Sequence, residues 1–332
     1  MTDSVIKATV DFEADGTQHG HLVLPYSRDD SAWGTIQIPI TVLRNGDGPT
    51  ALLTGANHGD EYEGPLALVD LAATLSADQI SGSVIIVPFM NQPAFKAGAR
   101  SSPYDGGNMN RIFPGRADGT PSEKIADYFT RILLPSADVV LDFHSGGRSL
   151  EFLPFAACHI LDDAEHYARC RAARDAFNAP YALEMREIDP AGMYDHAAET
   201  LGKTFVTTEL GGGGSTTPET VAIAKNGVRN LLIHAGILTG TPERAPSRAL
   251  IQPGENCFAF SPCGGMIEYL APLGATVSRG EVIARIWETG HTGRPAHQIT
   301  SAMDGLLIAR HFPGLVQQGD CVAVMAVETF GS

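Results

Sequence analysis

Four short apolar runs recur through the first 250 residues, and each is rich in side chains that favour β-strands. They read ALLTGA, SVIIVPF, DVVLDFH and TFVTTEL, at residues 51–56, 83–89, 138–144 and 204–210. Apolar runs of this length are typical of strands buried on both faces of a parallel or mixed sheet. Helix-like stretches lie between or after them, at residues 63–75, 121–134, 163–177 and 217–238. The alternation predicts an α/β fold with a mixed central sheet and helices on both faces.

The character of the sequence changes after residue 240. Residues 239–255 are rich in Pro, Gly and Arg, as in a linker, and beyond them short β-like runs broken by glycines predict a small all-β domain. Residues 264–286 and 303–325 resemble the two halves of a biotinyl/lipoyl-type barrel. The segment between the halves, WETGHTGRPAHQIT, contains no lysine, so we expect no swinging cofactor. We therefore predict two domains, at residues 1–245 and 250–332.

The composition disfavours several classes of function. The net charge of −15 is opposite in sign to the basic surface that nucleic-acid-binding proteins need. No apolar run approaches the roughly 18 residues that span a bilayer, and the N-terminal segment has no signal pattern. We expect a cytoplasmic protein with neither membrane nor nucleic-acid partners. Five cysteines without a C-x-x-C motif predict reduced thiols. The oligomeric state stays open.

Residues 54–64, TGANHGDEYEG, place a histidine and an acid three residues apart directly after a predicted strand. Imidazole nitrogen and carboxylate oxygen both suit zinc, and catalytic zinc sites commonly have three protein ligands. His144 also follows a predicted strand, and the carboxyl ends of strands meet at one edge of an open sheet. We therefore predict one zinc ion held by His58, Glu61 and His144. Asp142, two residues before His144, is its expected hydrogen-bonding partner.

Two further segments carry candidates for catalysis and substrate binding. Glu209 ends the run TFVTTEL, and a partly desolvated carboxylate there suits a general base that activates water and later protonates a leaving amine. Residues 91–115 contain Arg100, Asn110 and Arg111. Because arginine binds carboxylates through two parallel hydrogen bonds, we assign Asn110 and Arg111 to a substrate carboxylate. Arg100 would stabilise the oxyanion at the scissile carbonyl. Taken singly, each pattern also fits an ordinary surface residue.

In this order, the motifs HGDE, NMNRIFPG, DFHSGG and TTELGGGG resemble those of the succinylglutamate desuccinylase/aspartoacylase family. These zinc hydrolases are related to the zinc carboxypeptidases, and the resemblance covers roughly residues 45–240. It implies a zinc carboxypeptidase-like mixed sheet of about eight strands. It also implies hydrolysis of an N-acyl amino acid, a linear amide, by the residues assigned above. Many members read D-x-N-R, whereas this chain has Asn108 at the first position.

Within that family, the run of sequence is most similar to members that cleave Nα-acetyl-L-2,4-diaminobutyrate in ectoine breakdown. The ammonium group of such a substrate would need a carboxylate in the pocket. The candidates are Glu151, Glu184, Glu187, Asp189 and Asp195. His196 lies in the same region, in a segment that could line a cleft.

Three alternatives remain open. An anionic substrate, as for an aspartoacylase or a succinylglutamate desuccinylase, would need an additional cation, and Arg148 or Arg186 would serve. A metallocarboxypeptidase acting on peptides would need an open groove. A non-enzymatic binding or carrier protein is disfavoured, because the segment between the β halves lacks the lysine that would carry a cofactor.

Overall fold

The computed structural model describes residues 4–186 and 189–329. The first strands are β1 (Lys7–Ala8), β2 (Gly16–Pro25), β3 (Thr35–Asn45), β4 (Thr50–Thr54), β5 (Gly82–Val87), β6 (Val139–Asp142), β7 (Leu150–Phe152), β8 (Phe155–His159), β9 (Tyr181–Met185) and β10 (Thr204–Glu209). They are followed by β11 (Arg248–Gln252), β12 (Phe258–Phe260), β13 (Gly265–Tyr269), β14 (Thr276–Val277), β15 (Val282–Trp287), β16 (His297–Thr300), β17 (Gly305–His311), β18 (Leu315–Val316) and β19 (Cys321–Glu328).

The helices are α1 (Glu63–Thr74), α2 (Gln92–Ala97), α3 (Pro121–Tyr128), α4 (Leu134–Ser136), α5 (Ala164–Phe177), α6 (Tyr194–Thr200) and α7 (Pro218–His234). Short 3-10 turns occupy Ala77–Gln79, Met109–Arg111 and Glu255–Cys257, and a π-helical turn over Phe129–Leu133 joins α3 to α4. None of the helices in the described part of the chain has both the length and the apolar character that crossing a membrane requires.

Within the described residues, fifteen strands form one mixed sheet. Its order is β1-β2-β3-β5-β4-β6-β10-β8-β9-β11-β19-β17-β14, with β12 paired to β19 and β7 to β17. Strands β5, β4, β6 and β10 run parallel, and antiparallel pairing joins β10 to β8. The predicted mixed α/β fold is confirmed. Along this order, nine neighbouring strands precede residue 245, close to the eight that the family resemblance implied.

Helices cover both faces of the sheet because its central strands are apolar on both sides. Successive side chains of a strand point to opposite faces. Along β4, Leu52 therefore packs in one buried cluster with side chains of α3 and α6, and Leu53 packs in another with side chains of α1, α5 and α7. The long apolar runs of the sequence are explained by this burial on two sides.

The predicted apolar strands correspond to β4, β5, β6 and β10. The long hairpin of β2 and β3 did not stand out in the sequence, because the first six residues of β2, GTQHGH, are polar or glycine. The burial of β2 alternates along the strand, as expected for an antiparallel strand that faces solvent on one side. Strands β8 and β9 are short and were also missed.

The C-terminal strands extend the same large sheet. Residues 239–255, predicted as a linker, contain β11, which pairs with β9 on one side and β19 on the other. One buried apolar cluster accordingly joins Phe155 and Leu183 to Ile308 and Val324. A separate four-stranded sheet has the order β16-β15-β13-β18. The resemblance of this region to a biotinyl/lipoyl-type barrel stays a prediction.

A close contact fixes α1 against the segment that follows β6. A Cβ atom added at Gly64 would lie only 2.1 Å from Cβ of Phe143. We therefore expect Gly64→Ala to lower the free energy of unfolding by about 1–3 kcal/mol, the usual cost of overpacking. Helix propensity alone would predict the opposite sign, because alanine favours helices over glycine. Urea denaturation followed by circular dichroism measures the change.

The matched control is Gly290→Ala, because a Cβ atom at Gly290 would meet no atom within 4 Å. Its free energy of unfolding should equal that of the parent protein. A Gly64→Ala variant as stable as the parent would contradict the packing of α1 against Phe143.

Candidate metal centre and active site

The three predicted metal ligands meet at the carboxyl ends of two parallel strands. His58 and Glu61 follow β4, His144 follows β6, and their ligand atoms all lie within 4.8 Å of one another. The Glu61 carboxylate lies between the two rings, with Oε1 2.7 Å from His58 Nδ1 and Oε2 3.0 Å from His144 Nδ1. All three side chains are buried. The structure thus brings together the cluster that the spacing predicted.

The outer nitrogen of each ring has a hydrogen-bond acceptor. His144 Nε2 donates to Asp142 Oδ2 at 2.9 Å, and His58 Nε2 donates to Asn108 Oδ1 at 3.2 Å. With Nε2 donating, the Nδ1 atom of each neutral ring presents a lone pair to the carboxylate of Glu61. Lone pairs and a carboxylate at this distance repel one another unless a proton or a metal ion lies between them. The donor set is therefore arranged for a cation.

Further hydrogen bonds hold these two acceptors in place. Asp142 accepts hydrogen bonds from Thr54 Oγ1 at 2.6 Å and Asn57 Nδ2 at 3.1 Å. Asn108 Oδ1 also accepts from the backbone N–H of Asn110 at 3.1 Å, at the start of a 3-10 turn. Because this chain has Asn108 where many family members have aspartate, the partner of His58 is a neutral amide oxygen, whereas the partner of His144 is the carboxylate of Asp142.

The charges in the cluster favour a bound cation. Burial opposes ionisation of Glu61, but the two imidazoles hold the pKa of its carboxyl well below the usual range. Burial lowers the pKa of His58. Burial would also lower the pKa of His144, but the carboxylates of Asp142 and Glu61 outweigh it and raise that pKa well above its ordinary value. A negative environment that favours a proton also favours a metal ion in the same place.

Glu209 and Arg100 lie beside the three candidate ligands. Glu209 ends β10, and among the described residues no donor lies within hydrogen-bonding distance of its buried Oε2 atom. Burial, together with the charge of Glu61, raises the pKa of Glu209 to about 8. Arg100 Nη1 lies 3.8 Å from Glu61 Oε1, and 46 % of the arginine side chain is exposed. A carboxylate that exchanges a proton near neutral pH suits acid–base chemistry.

All seven predicted site residues line one cavity of about 490 Å³. They are His58, Glu61, Arg100, Asn110, Arg111, His144 and Glu209. Asn110 Oδ1 accepts a hydrogen bond from the backbone N–H of Tyr194 at 3.0 Å, and Arg111 Nη1 donates to the Asn110 carbonyl at 2.6 Å. The start of α6 therefore positions the predicted carboxylate-binding pair.

Among the five acids proposed for a substrate ammonium, Asp195 is buried and lines the cavity. Its Oδ2 atom lies 3.8 Å from His159 Nε2. Asp189 is not part of the described cavity lining and accepts a hydrogen bond from the backbone N–H of Ala191. Glu187 lies outside the described residues.

The other two acids bind arginines away from the cavity. Glu151 Oε2 lies 2.6 Å from Arg310 Nη2, and Glu184 Oε1 lies 3.2 Å from Arg174 Nη1. Neither belongs to the described cavity lining.

Of the two arginines and the histidine that the sequence also suggested, one arginine lines the cavity. Arg186 lines the cavity. Arg148 is not among the described lining residues, and its backbone N–H donates to Asp60 Oδ2 at 2.8 Å. His196 is exposed and lies outside the described lining.

The sequence reasoning missed the side of the cavity formed by aromatic and aliphatic side chains. This apolar wall consists of Phe155, Phe258, Phe260, Ile308 and Val324. Four of the five belong to the C-terminal strands β12, β17 and β19. No local signal marks them, because they look like ordinary strand residues.

Glu63 was also missed as a member of the site region, although it stands within the HGDEYEG motif. It is buried at the start of α1, and burial raises the pKa of its carboxyl to about 7. A third acid so close to His58 was the available signal.

Comparison with known proteins supports an enzymatic reading of this site. The profile of the succinylglutamate desuccinylase/aspartoacylase catalytic domain matches residues 47–235. The N-alpha-acetyl-L-2,4-diaminobutyric acid deacetylase of Halomonas elongata is 53 % identical over 333 residues, which cover 99 % of this chain and 97 % of that protein.

Two solved structures are similar over nearly their whole length. The product-bound ectoine utilization protein EutE (DoeB) of Ruegeria pomeroyi is 57 % identical with a TM-score of 0.97, covering 98 % of this chain and 100 % of that one. A succinylglutamate desuccinylase from Silicibacter sp. TM1040 is 55 % identical with a TM-score of 0.96, covering 99 % and 100 %.

The fold and the matches define a hydrolytic enzyme that acts on N-acyl amino acids. The chain belongs to the succinylglutamate desuccinylase/aspartoacylase family. The family resemblance and the prediction of an enzyme are therefore confirmed.

The contact between Asn108 and His58 leads to a test of metal binding. We expect Asn108→Ala to weaken zinc affinity by about 10- to 100-fold, the usual loss when a ligand histidine loses its outer partner. Asn108→Asp should retain the affinity, because its carboxylate also accepts from Nε2. Competition with a chromophoric chelator measures both constants.

Asn45→Ala is the control for this test, because Asn45 donates to the carbonyl of Ile80 and is not part of the described cavity lining. Its zinc affinity should match that of the parent. Equal affinity in Asn108→Ala and the parent would show that Asn108 does not orient His58.

Proposed function

We propose that this protein hydrolyses Nα-acetyl-L-2,4-diaminobutyrate to acetate and L-2,4-diaminobutyrate, with one zinc ion held by His58, Glu61 and His144. The observation that carries the proposal is that one cavity contains this cluster together with two cations, Arg100 and Arg111, and the buried acid Asp195. The similarity to the Halomonas elongata deacetylase and to the product-bound ectoine utilization protein supports the choice of substrate.

Zinc fits the donor set of this cluster. Two imidazole nitrogens and one carboxylate are the ligands of many catalytic zinc sites, which keep a further position open. When bound, the ion would supply positive charge that polarises the scissile carbonyl and makes water more acidic. The two outer acceptors, Asp142 and Asn108, would hold the rings with Nδ1 directed at the ion.

Glu209 and Arg100 would carry the proton transfers and the charge stabilisation. Glu209 would take a proton from the attacking water and deliver it to the amide nitrogen as the C–N bond breaks. Its raised pKa suits both halves of this task. Arg100 would donate hydrogen bonds to the oxyanion that forms at the carbonyl.

Two opposite charges on the substrate would set its orientation. Asn110 and Arg111 would bind the α-carboxylate, and Asp195 would bind the side-chain ammonium. Because acetylation of the γ-nitrogen would remove that ammonium, the arrangement favours the Nα-acetyl isomer. We further propose that residues 1–245 form the catalytic domain and residues 250–332 a C-terminal β domain that closes one side of the cavity.

Arg186 supports a second candidate function, because it lines the cavity and could bind an anionic side chain. Aspartoacylase or succinylglutamate desuccinylase activity is therefore tested in parallel. We expect zinc-loaded enzyme to release acetate from Nα-acetyl-L-2,4-diaminobutyrate with kcat/KM at least roughly 100-fold above Nα-acetyl-aspartate and N-succinyl-glutamate, because like charges in a buried site cost several kcal/mol. Treatment with a chelator should abolish the release.

Glu209→Gln separates the metal from the general base in this assay. The variant should keep its zinc and lose about 10²- to 10⁴-fold in kcat, the usual contribution of a general base. Preference for an anionic substrate would favour the second candidate function. Failure to hydrolyse any of the three substrates would contradict the proposed function.

The role of Asp195 is tested with a neutral substrate of the same shape. Nα-acetyl-L-norvaline carries a methyl group where the diaminobutyrate substrate carries its ammonium. In Asp195→Asn, the ratio of kcat/KM for the cationic to the neutral substrate should fall by about 10- to 100-fold, because an ion pair with the ammonium is replaced by a hydrogen bond to a neutral amide oxygen. An unchanged ratio would mean that Asp195 does not bind the ammonium.

A further inference from the structure

The cavity lining combines charged, polar and apolar side chains. The charged and polar members include the candidate metal ligands, Arg111, Arg186 and Asp195. The apolar wall, Phe155, Phe258, Phe260, Ile308 and Val324, contributes five uncharged side chains to the same lining. A ligand that fills the whole cavity must therefore present an apolar part as well as a polar one.

The apolar wall extends from the protein interior to the cavity mouth. Ile308 and Phe155 are 1 % and 3 % exposed, whereas Phe260 is 56 % exposed. Phe258, two residues before Phe260 on β12, is of intermediate exposure. An exposed aromatic ring in line with buried apolar side chains marks the outer end of a binding surface. A chain that lies along the wall can therefore extend toward solvent.

The order of the strands places this wall on the acyl side of the reaction centre. The segment that carries Asn110 and Arg111 follows β5, and the candidate metal ligands follow β4 and β6. Along the sheet, β10 with Glu209 comes next, then β8 with Phe155, and farther on β19 and β17. A substrate with its carboxylate at Arg111 and its scissile carbonyl at the ligand cluster thus directs its acyl group toward the apolar wall.

An acetyl group would leave much of this space unfilled. The acetylated diaminobutyrate has about eleven non-hydrogen atoms. A bonded atom occupies less than the roughly 30 Å³ of a whole water molecule in the liquid, so these atoms fill less than about 330 Å³. The cavity measures about 490 Å³. The acyl end of such a substrate is a single methyl group, which contacts only a small part of five large side chains.

We propose that the apolar wall is an acyl subsite that accepts unbranched aliphatic acyl groups of four to six carbons. This inference rests on the proposed function of the same site. The reaction is the same hydrolysis: water adds to the amide carbonyl, the C–N bond breaks, and a fatty acid and the free amine are released.

The test compares three acyl groups on one amine. Zinc-loaded enzyme is given the Nα-acetyl, butyryl and hexanoyl derivatives of L-2,4-diaminobutyrate, and kcat/KM is measured for each. Each buried methylene should raise kcat/KM by up to about fourfold. Values for butyryl and hexanoyl at or below that of acetyl would overturn the acyl subsite.

The same assay separates this inference from the proposed function. Release from the acetyl compound with slower release from butyryl and hexanoyl retains the proposed function and rejects the acyl subsite. Release from hexanoyl without release from acetyl retains the subsite and rejects the proposed substrate. No release from any compound contradicts both.

A pair of surface variants tests the wall directly. Phe260→Ala should lower the ratio of hexanoyl to acetyl kcat/KM by at least about fivefold, because the apolar contact at the cavity mouth is lost. The matched control is Leu315→Ala, since Leu315 is 65 % exposed on β18 and is not part of the described cavity lining. It should leave the ratio unchanged. Equal ratios in the two variants would overturn the role of the wall.

Discussion

The buried carboxylate of Glu61 is the constraint on which the candidate site depends. A charge removed from water is unfavourable unless partners of opposite sign surround it. Here two imidazole rings lie within 3.0 Å of its oxygens, and their outer nitrogens are held by Asp142 and Asn108. The negative cluster therefore favours a proton or a metal ion at its centre. The parallel order of β4 and β6 brings the three side chains to this point.

The C-terminal strands are part of the chamber in which the chemistry would occur. Strand β11 joins β9 to β19, so the large sheet continues from the family domain into the C-terminal region. The same continuity lets Ile308 and Val324 pack in one apolar cluster with Phe155. A substrate at the ligand cluster would thus contact both halves of the chain. Substrate size and polarity depend on this tertiary arrangement, whereas the reactive groups come from the first 210 residues.

Several parts of this structure could be predicted because their signals are local. Strands buried on two faces leave uninterrupted apolar runs, so β4, β5, β6 and β10 were found. The polar residues at their ends stood out for the same reason, which identified His58, Glu61, His144 and Glu209. The half-exposed β2 lacks such a run and was missed. Strand β11 was hidden in a segment rich in Pro, Gly and Arg, because its strand character depends on pairing with residues some 70 positions away.

By itself, the sequence determined the class of fold, the family and the residue types available for chemistry, because these depend on short-range periodicity and on motifs of a few residues. Only the tertiary structure decided which of the acidic residues faces the cavity. Glu151 and Glu184 bind arginines elsewhere, whereas Asp195 lines the chamber. It also decided that Asn108 contacts His58 and that Phe260 and Ile308 line the same cavity as the metal ligands. These contacts join residues that are 50 to 250 positions apart in the sequence. Strand pairing and packing, rather than local pattern, decide which of these side chains are buried and which cavity they face.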